Sequence, residues 1–333
     1  MNKSRILYKI SGLILLLFTV CVLSIRLGST HMTTDEFIRG LLMADDALTF
    51  STIIYKLRLP RMLAGLLAGV GLASSGTILQ SITGNKMASP NIVGVNSGAG
   101  FAIILSLSLT SISIRLLPVA AFVGAFAATA VIILIASRLG ATKTNVILTG
   151  IAFSSILSAG ISLLSLLDTD VLANYNAFSI GSIAVSSSNQ LLLPAIMIAF
   201  AFATAMFFAQ RINVLSLGDS IAGSLGINVR ATRIIAMLLA SVLAGSAVSF
   251  AGLLGFVGLM SPHIARTMVG SNAKHLLPCS ALCGSIIVLL ADLLGRVIFA
   301  PSELPVGILM ALIGAPFFLI LLIKRGHNND RDK

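Results

Sequence analysis

Charged side chains are scarce in this sequence. Lys and Arg number 22 and Asp and Glu number 11 among 333 residues, so only 10% of the chain is charged. In contrast, 57% is hydrophobic, and the mean hydropathy is +1.04. A water-soluble domain cannot cover its core with so little polar surface. The composition therefore excludes a soluble protein and predicts an integral membrane protein.

Other scarcities exclude further classes of protein. The three cysteines, Cys21, Cys279 and Cys283, all lie in apolar segments, where a thiol behaves as a small hydrophobic group, so they predict neither disulfides nor a metal site. The net charge of +11 comes from basic residues scattered at the ends of apolar runs, which does not indicate nucleic-acid binding. No G-x-x-x-x-G-K-[ST] motif occurs, so any nucleotide-driven motor must be a separate chain.

Apolar runs recur along the whole chain, each long enough to cross a hydrocarbon core of roughly 30 Å as a helix. We therefore predict an all-α transmembrane domain over residues 1–333, with about ten spans. The first run, Ile10–Val22, shows no A-x-A-like cleavage site before Arg26, so we interpret it as a retained span rather than a signal peptide. The predicted spans centre on Ile14, Gly69, Ala102, Ala127, Ser155, Ala201, Ala240, Gly258, Ile287 and Leu312.

Spans three and eight are short and rich in Gly, Ser and Asn, so we expect protein rather than lipid around them. An even number of spans puts both termini on one side, and 15 of the 22 Lys and Arg residues fall there. The positive-inside rule then predicts cytoplasmic termini. The seven cations predicted to lie outside are Arg26, Arg39, Lys56, Arg58, Arg61, Arg115 and Arg296.

Arg58 and Arg61 lie in the stretch YKLRLPRML, Tyr55–Leu63, outside the membrane and against the general charge bias. Between them, Pro60 suits the first turn of a helix. One interpretation is that the arginines snorkel to lipid headgroups and set the depth of span two. The other is an external docking site for an acidic partner, because guanidinium groups bind carboxylates bidentately and keep their charge.

Arg296 ends span nine on the same side, in LLADLLGRVIF. It favours the docking interpretation, although an i,i+4 pair with Asp292 would equally explain it by neutralising an intramembrane acid. Both roles are compatible.

Span two also carries small residues at steps of four, Gly65, Gly69 and Ala73, which predict close approach of another helix. The stretch that follows, QSITGNKMASPNIVGVNSGAG, combines polar residues with glycine and proline. Polar, interrupted segments are tolerated where they line a cavity, although tight-turn packing explains Gly and Pro equally well. The candidate pathway residues are Gln80, Asn85, Asn96 and Ser97.

Residues 211–233 form the longest hydrophilic stretch predicted to be cytoplasmic. Leu215, Leu217, Ile221 and Leu225 fall on one face at helical spacing, with Gly218 and Gly226 as break points. We predict two short amphipathic helices, which either lie flat on the headgroups or insert into a groove of a cytosolic partner.

Five stretches in this order are typical of one family: RLPR, SGTILQSITGNKMASPNIVGVNSGA, LGDSIAGSLGINVRATR, FAGLLGFVGLMSPHIAR and ADLLGRVIFAPSELPVGILMALIGAPFFLILL. Together they resemble the FecCD family, the permease subunits of type II ATP-binding cassette (ABC) importers for ferric siderophores, haem and cobalamin. The resemblance covers nearly the whole chain and implies ten spans with cytoplasmic termini in the bacterial cytoplasmic membrane.

The resemblance also implies roles for residues. Arg58, Arg61 and Arg296 match arginines that contact glutamates of an extracytoplasmic substrate-binding protein. Lys143 and Thr144 align with a cytoplasmic gate, although this chain has ATKTN there. The turn TGNKMASP also departs from the RNPLASP or ENPLAEP of many relatives. The residues that match the segment docking into the ATPase are Leu217, Gly218, Ile221, Ala222, Leu225 and Gly226.

The resemblance implies a dimer with an identical or paralogous permease, two cytoplasmic ATPase subunits and a lipoprotein or periplasmic binding protein. ATP and Mg²⁺ would be bound by the ATPase, with no cofactor on this chain. Among the cargoes, we favour a ferric siderophore over haem or cobalamin. An ion-gradient transporter is the main rival, but such proteins usually need intramembrane acids, and only Asp292 lies deep. An intramembrane hydrolase would need a nucleophile paired with His, and no such spacing occurs.

Overall fold

The computed structural model describes residues 3–44, 48–109, 116–140, 142–185 and 187–329, and within these ranges it contains helices and no strand. Arg115, which entered the prediction of topology, lies outside the described residues. The helices are α1 (Lys3–Arg26), α2 (Thr34–Leu41), α3 (Leu48–Thr52), α4 (Leu59–Thr83), α5 (Val95–Leu109), α6 (Leu117–Arg138), α7 (Lys143–Leu167), α8 (Thr169–Ile180), α9 (Asn189–Phe207), α10 (Ala209–Ser216), α11 (Asp219–Ser224), α12 (Val229–Ala251), α13 (Val257–Val269), α14 (Ala273–Ile298) and α15 (Val306–Asn329).

The predicted membrane fold is confirmed, since all ten span centres lie in separate helices. In the part of the chain that the structure describes, seven helical stretches are long and apolar enough to cross a membrane: α1, the run Leu48–Thr83, α6, α7, α9, α12 and α14. The predicted spans three and eight correspond to α5 and α13, which have only 15 and 13 residues. In the described part of each, Leu109 and Thr267 are the only exposed residues. Both helices are enclosed by protein, as the sequence predicts.

Span two begins earlier than the sequence predicts. α3 continues through a π-helical turn, Ile53–Arg58, directly into α4, so Tyr55–Leu63 lies within a continuous helical run and not at its mouth. Pro60 has no N–H, and its ring would clash with the carbonyl four residues earlier in a regular helix. A wider π turn relieves this crowding, and the Leu59 N–H bonds to the Ile54 carbonyl.

Three short helices on the side opposite the termini were not predicted. A capping box starts α2, because Thr33 Oγ1 accepts from the Glu36 N–H and Glu36 accepts from the Thr33 N–H. Asp168 caps α8 by accepting from the backbone of Asp170 and Val171. α3 belongs to the early start of span two. The capping-box motif T-x-x-E is visible in the stretch TTDEF. The helix α2 was not predicted because its apolar run is short.

The most extensive helix pairing in the described residues is that of α4 with α14. Gly69 touches the backbone of Gly284 and Ser285 so tightly that a Cβ atom at position 69 would overlap Ser285. Ala73 Cβ is likewise seated against Gly284. The Ser285 hydroxyl also donates to the Leu66 carbonyl at 2.9 Å. The predicted small-residue stripe is therefore confirmed, and its partner is α14.

We expect Gly69→Ala to lower the thermal midpoint of the detergent-purified protein, because the added methyl forces α4 and α14 apart. Overpacking of this kind costs about 1–3 kcal/mol. Size-exclusion chromatography after heating measures the midpoint. Gly12→Ala in α1 is the matched control, since nothing lies within 4 Å of a Cβ atom there. Equal midpoints for the two variants would contradict the close α4–α14 contact.

Candidate functional site

The structure brings Arg58, Arg61 and Arg296 together around one cavity of about 270 Å³, which also has Glu303 in its wall. α4 contributes Arg61, the π turn before it contributes Arg58, and the last turn of α14 contributes Arg296. We call this the arginine cavity. It lies at the end of the bundle opposite the chain termini, where the sequence predicts all three arginines.

Arg58 and Arg296 are directed at the C-terminal end of α1. Arg58 Nη1 donates to the carbonyls of Ile25, at 2.9 Å, and Arg26, and Arg58 Nη2 donates to Thr30 O at 2.6 Å. Arg296 Nη2 donates to Ser24 O and Ser24 Oγ, at 3.1 and 2.9 Å. The last carbonyls of a helix have no partner within the helix and carry partial negative charge. Two guanidinium groups therefore cap α1 and hold it to α4 and α14.

These contacts argue against one of the two interpretations of Arg58. Only 5% of Arg58 and 2% of Arg296 is exposed, so neither side chain reaches lipid headgroups. The headgroup-anchor interpretation is wrong for Arg58. Gly28 crosses directly above the guanidinium groups, where a Cβ atom would lie 3.1 Å from Arg58 Nη2 and 3.3 Å from Arg296 Nη1.

Asp292 lies between two of the arginines. Its Oδ1 accepts from Arg61 Nε at 2.9 Å, and its Oδ2 lies 2.9 Å from Arg296 Nε. The i,i+4 pair with Arg296 is thus present, with Arg61 as a second cation. A buried carboxylate requires such compensation, because removing one charge from water costs several kcal/mol. Asp292 is 1% exposed, so it is part of the bundle interior.

Glu303 is the other acid of the cavity, and the sequence did not identify it as a site residue. It lies in the loop between α14 and α15, where Oε2 accepts from Arg61 Nη1 and Oε1 accepts from Ser29 Oγ at 2.8 Å. Burial alone would raise the pKa of Glu303. The hydrogen bonds from Arg61 and Ser29 and the nearby positive charges outweigh this effect, so the pKa is lowered overall. The carboxylate therefore stays ionised. No local motif in APSELP indicates this contact.

The predicted pair of short helices in residues 211–233 is present at the opposite end of the bundle, as α10 and α11. Gly218 and Gly226 separate and end them, with φ values of 117° and 77° that favour glycine. Leu217, Ile221 and Leu225 are exposed and Ala222 is buried. The prediction that Leu215 lies on one face with these three residues is wrong, because α10 continues from α9 and turns Leu215 into the core.

Two polar contacts that the sequence did not reveal attach these helices to the bundle. Asn213 of α10 donates from Nδ2 to Asn272 Oδ1 at 3.0 Å and accepts from the Ala273 N–H at 2.6 Å, at the start of α14. Arg233 of α12 pairs with Asp219 of α11 at 2.6 Å. A displacement of α10–α11 therefore acts directly on α12 and α14.

The candidate gate residues lie at the same end of the bundle. Lys143 is the first residue of α7, and its Nζ lies 3.5 Å from the position of a Cβ atom on Gly84, at the end of α4. Thr144 is exposed. The neighbouring Thr142, rather than Thr144, caps α7 by accepting from the Asn145 N–H.

Three of the four candidate pathway residues make separate hydrogen bonds in the structure. Gln80 is buried and donates to the Gly258 carbonyl at 3.3 Å, Asn85 accepts from the Met87 N–H at 2.9 Å, and Ser97 donates to Ser154 Oγ at 3.0 Å. Asn96 is half-buried. The contact of Asn85 stabilises a tight turn, which is the alternative that the sequence left open.

A polar surface that the sequence analysis missed lies on α7. Ser158, Ser162 and Ser165 are spaced three and four apart and line a shallow cavity of about 500 Å³ together with Tyr175 of α8. Only 17% of the apolar window of α7 is buried, against 78% in α14. The hydroxyls of Ser162 and Ser165 donate to the carbonyls of Ser158 and Ile161 in the same helix, and the serine spacing was the pattern that could have revealed this stripe. In the described ranges, no group of three His, Cys, Asp or Glu residues has metal-binding geometry.

Comparisons with known proteins find relatives over most of the chain. Residues 15–324 match the model of the FecCD transport family. An Fe(3+)-citrate import system permease of Bacillus subtilis (strain 168) is 37% identical over 322 residues, covering 96% of each chain. A protein of the same strain, named as a probable siderophore transport system permease, is 41% identical over 281 residues, covering 82% of each chain. An inward-facing structure of a transporter assigned to the metal-chelate type of ABC transporters superposes with a TM-score of 0.86 at 32% identity, covering 95% of this chain and 99% of the other.

We expect Arg58→Ala to destabilise the protein and loosen α1. The change leaves three carbonyls without their donors, and a buried unsatisfied group costs about 1–3 kcal/mol. Thermal unfolding in detergent reports the stability, and maleimide labelling of Cys21 in α1 reports its release, on a background in which Cys279 and Cys283 are replaced by alanine. Lys56→Ala removes a neighbouring exposed cation and serves as the control. Matching results for both variants would show that Arg58 does not hold α1.

Proposed function

This chain belongs to the FecCD transport family and is a permease of an ABC importer, and we propose that its cargo is a ferric siderophore. The observation that carries the proposal is similarity, over at least 82% of the chain, to permeases named for ferric citrate and siderophore import. The permease performs no covalent chemistry in this scheme. It converts differential contacts with its partners into a shift between outward and inward states of a multi-pass protein of the cell membrane.

We place both chain termini in the cytoplasm. The bias of Lys and Arg toward that side supports this orientation. The α10–α11 helices then face the cytoplasm, and the arginine cavity faces the outside. The arginine cavity and the exposed face of α10–α11 thus lie on opposite sides of the membrane in this proposal.

Outside, a substrate-binding protein, either a lipoprotein or periplasmic, would dock over the arginine cavity through acidic side chains. Three guanidinium groups face two carboxylates there, which leaves an excess of positive charge. An open cavity with one sign of charge in excess attracts the opposite charge and steers a partner into register. Among Arg58, Arg61 and Arg296, Arg61 is the one whose carboxylate partner, Glu303, is accessible to solvent.

Inside, two ATPase subunits would bind α10–α11 and supply ATP and Mg²⁺, with no cofactor bound by this chain. The exposed Leu217, Ile221 and Leu225 suit a helix-in-groove contact, and the anchored Ala222 fixes their orientation. The attachment of α10 to α14 and of α11 to α12 lets such a contact move the bundle. The gate role of Lys143 and Thr144 stays a prediction.

A second permease, identical or paralogous, would pack against the open side of this chain. The serine stripe of α7 supports this arrangement, because two facing copies would enclose a polar path. Bulky hydrophilic chelates need such a path, since hydrocarbon excludes them.

We expect loss of this permease to abolish uptake of ⁵⁵Fe supplied as a ferric siderophore. A deletion strain is offered a panel of ferric siderophores with haemin and cobalamin as comparison cargoes, and the wild-type gene restores uptake. Restoration for haemin or cobalamin alone would contradict the proposed cargo. Uptake that survives loss of the ATPase but collapses with the ion gradient would contradict the importer mechanism.

We expect the double substitution Leu217→Asp and Leu225→Asp to remove the ATPase from the complex. Two carboxylates on an apolar contact face would be desolvated on binding, which is strongly unfavourable. Affinity purification of the tagged permease, followed by ATP hydrolysis by the co-purified subunits, measures the loss. Leu139→Asp, at an exposed leucine after α6 on the same side, is the control. Retention of the ATPase by the double variant would exclude α10–α11 as the contact.

A further inference from the structure

The three arginines of the cavity differ in whether their hydrogen-bond donors are available to a partner protein. Arg58 and Arg296 give their hydrogen bonds to Ser24, Leu27, Thr30 and the other carbonyls at the end of α1. An incoming carboxylate would have to detach α1 to replace these contacts. Arg61 makes no contact with a backbone carbonyl among the described residues, and both its partners are carboxylates.

The two carboxylates on Arg61 are also unequal. Asp292 is enclosed in the bundle and is shared with Arg296, so it cannot leave without exposing two buried charges. Glu303 has 35% of its side chain exposed, lies in the wall of the cavity and belongs to a loop. Its second partner, Ser29, also lies in a loop, after α1. Glu303 is therefore the displaceable ligand of Arg61.

Resting on the function proposed above, we propose that docking of the substrate-binding protein is a carboxylate exchange on Arg61. Glu303 occupies the position of the partner's acidic side chain while the permease is free, and the partner's carboxylate replaces it on Arg61 Nη1. One charge-assisted hydrogen bond is broken for each one formed. The exchange therefore fixes the position of the partner on the permease but adds little to the affinity. A transporter that must release its binding protein in every cycle benefits from such a reversible contact.

The exchange also has a structural consequence. Glu303 joins the loop between α14 and α15 to Ser29 and Arg61, and its release frees that loop from the end of α1. Docking thereby changes the connection between α15 and the rest of the outer end of the bundle. The permease thus responds to docking at the contact between Arg61 and Glu303.

The test compares the affinity of permease variants in nanodiscs for a soluble form of the substrate-binding protein produced from the same gene cluster, measured by biolayer interferometry. Glu303→Gln keeps the shape of the side chain but removes the competing charge, so we expect roughly 5- to 20-fold tighter docking and a steeper dependence on salt. Arg61→Gln should abolish the salt-dependent part of docking. Asp170→Asn neutralises an exposed acid at the same end of the bundle and should leave the affinity unchanged.

Ser29→Ala is the second variant, because it removes one hydrogen bond from Glu303 without changing any charge, and it should tighten docking a few-fold. Unchanged or weaker docking by both Glu303→Gln and Ser29→Ala, with wild-type thermal midpoints, would overturn the exchange while leaving the proposed function intact. If wild-type permease bound no substrate-binding protein, the proposed function would fail, and the exchange with it. Citrate alone binding wild type but not Arg61→Gln would assign the position to a small carboxylate and overturn the protein partner.

Discussion

The end of the bundle opposite the chain termini depends on the charge of Asp292. A carboxylate on an apolar membrane helix is stable only when cations neutralise it, and here Arg61 and Arg296 approach it from two helices. Each arginine then uses its remaining donors elsewhere. Arg296 binds the end of α1, and Arg61 binds Glu303 in the loop before α15. One buried acid thus fixes how α1, α4, α14 and the loop before α15 meet.

This network separates two roles that look identical in the sequence. Arg58, Arg61 and Arg296 are all cations at the end of the bundle opposite the termini, but Arg58 and Arg296 cap α1, and Arg61 is the one paired with a partly exposed acid. The guanidinium group suits both roles because it keeps its charge when buried and has five donors in a fixed plane. Burial and hydrogen-bond partners, rather than charge, distinguish the two arginines that cap α1 from Arg61.

The sequence predicts the helical fold well, because apolar runs and the small-residue stripe of Gly65, Gly69 and Ala73 are local patterns with direct physical meaning. It also predicts the break points Gly218 and Gly226, since positive φ favours glycine. It does not predict contacts between residues far apart in the chain. Glu303 meets Arg61 across 242 positions, and Asn213 meets Asn272 across 59. The prediction for Leu215 was wrong for a related reason. Its helical spacing is correct, but α10 continues α9, and this turns the face that carries Leu215 toward the core.

α14 connects the two ends of the molecule. It begins at the Asn272 cap, which is bonded to α10, and it ends with Asp292 and Arg296 in the arginine cavity. A helix of 26 residues spans about 39 Å at 1.5 Å per residue. α14 packs on α4 through glycines that allow backbone contact. One continuous helix therefore joins the contacts of α10 with the ion pairs of the arginine cavity.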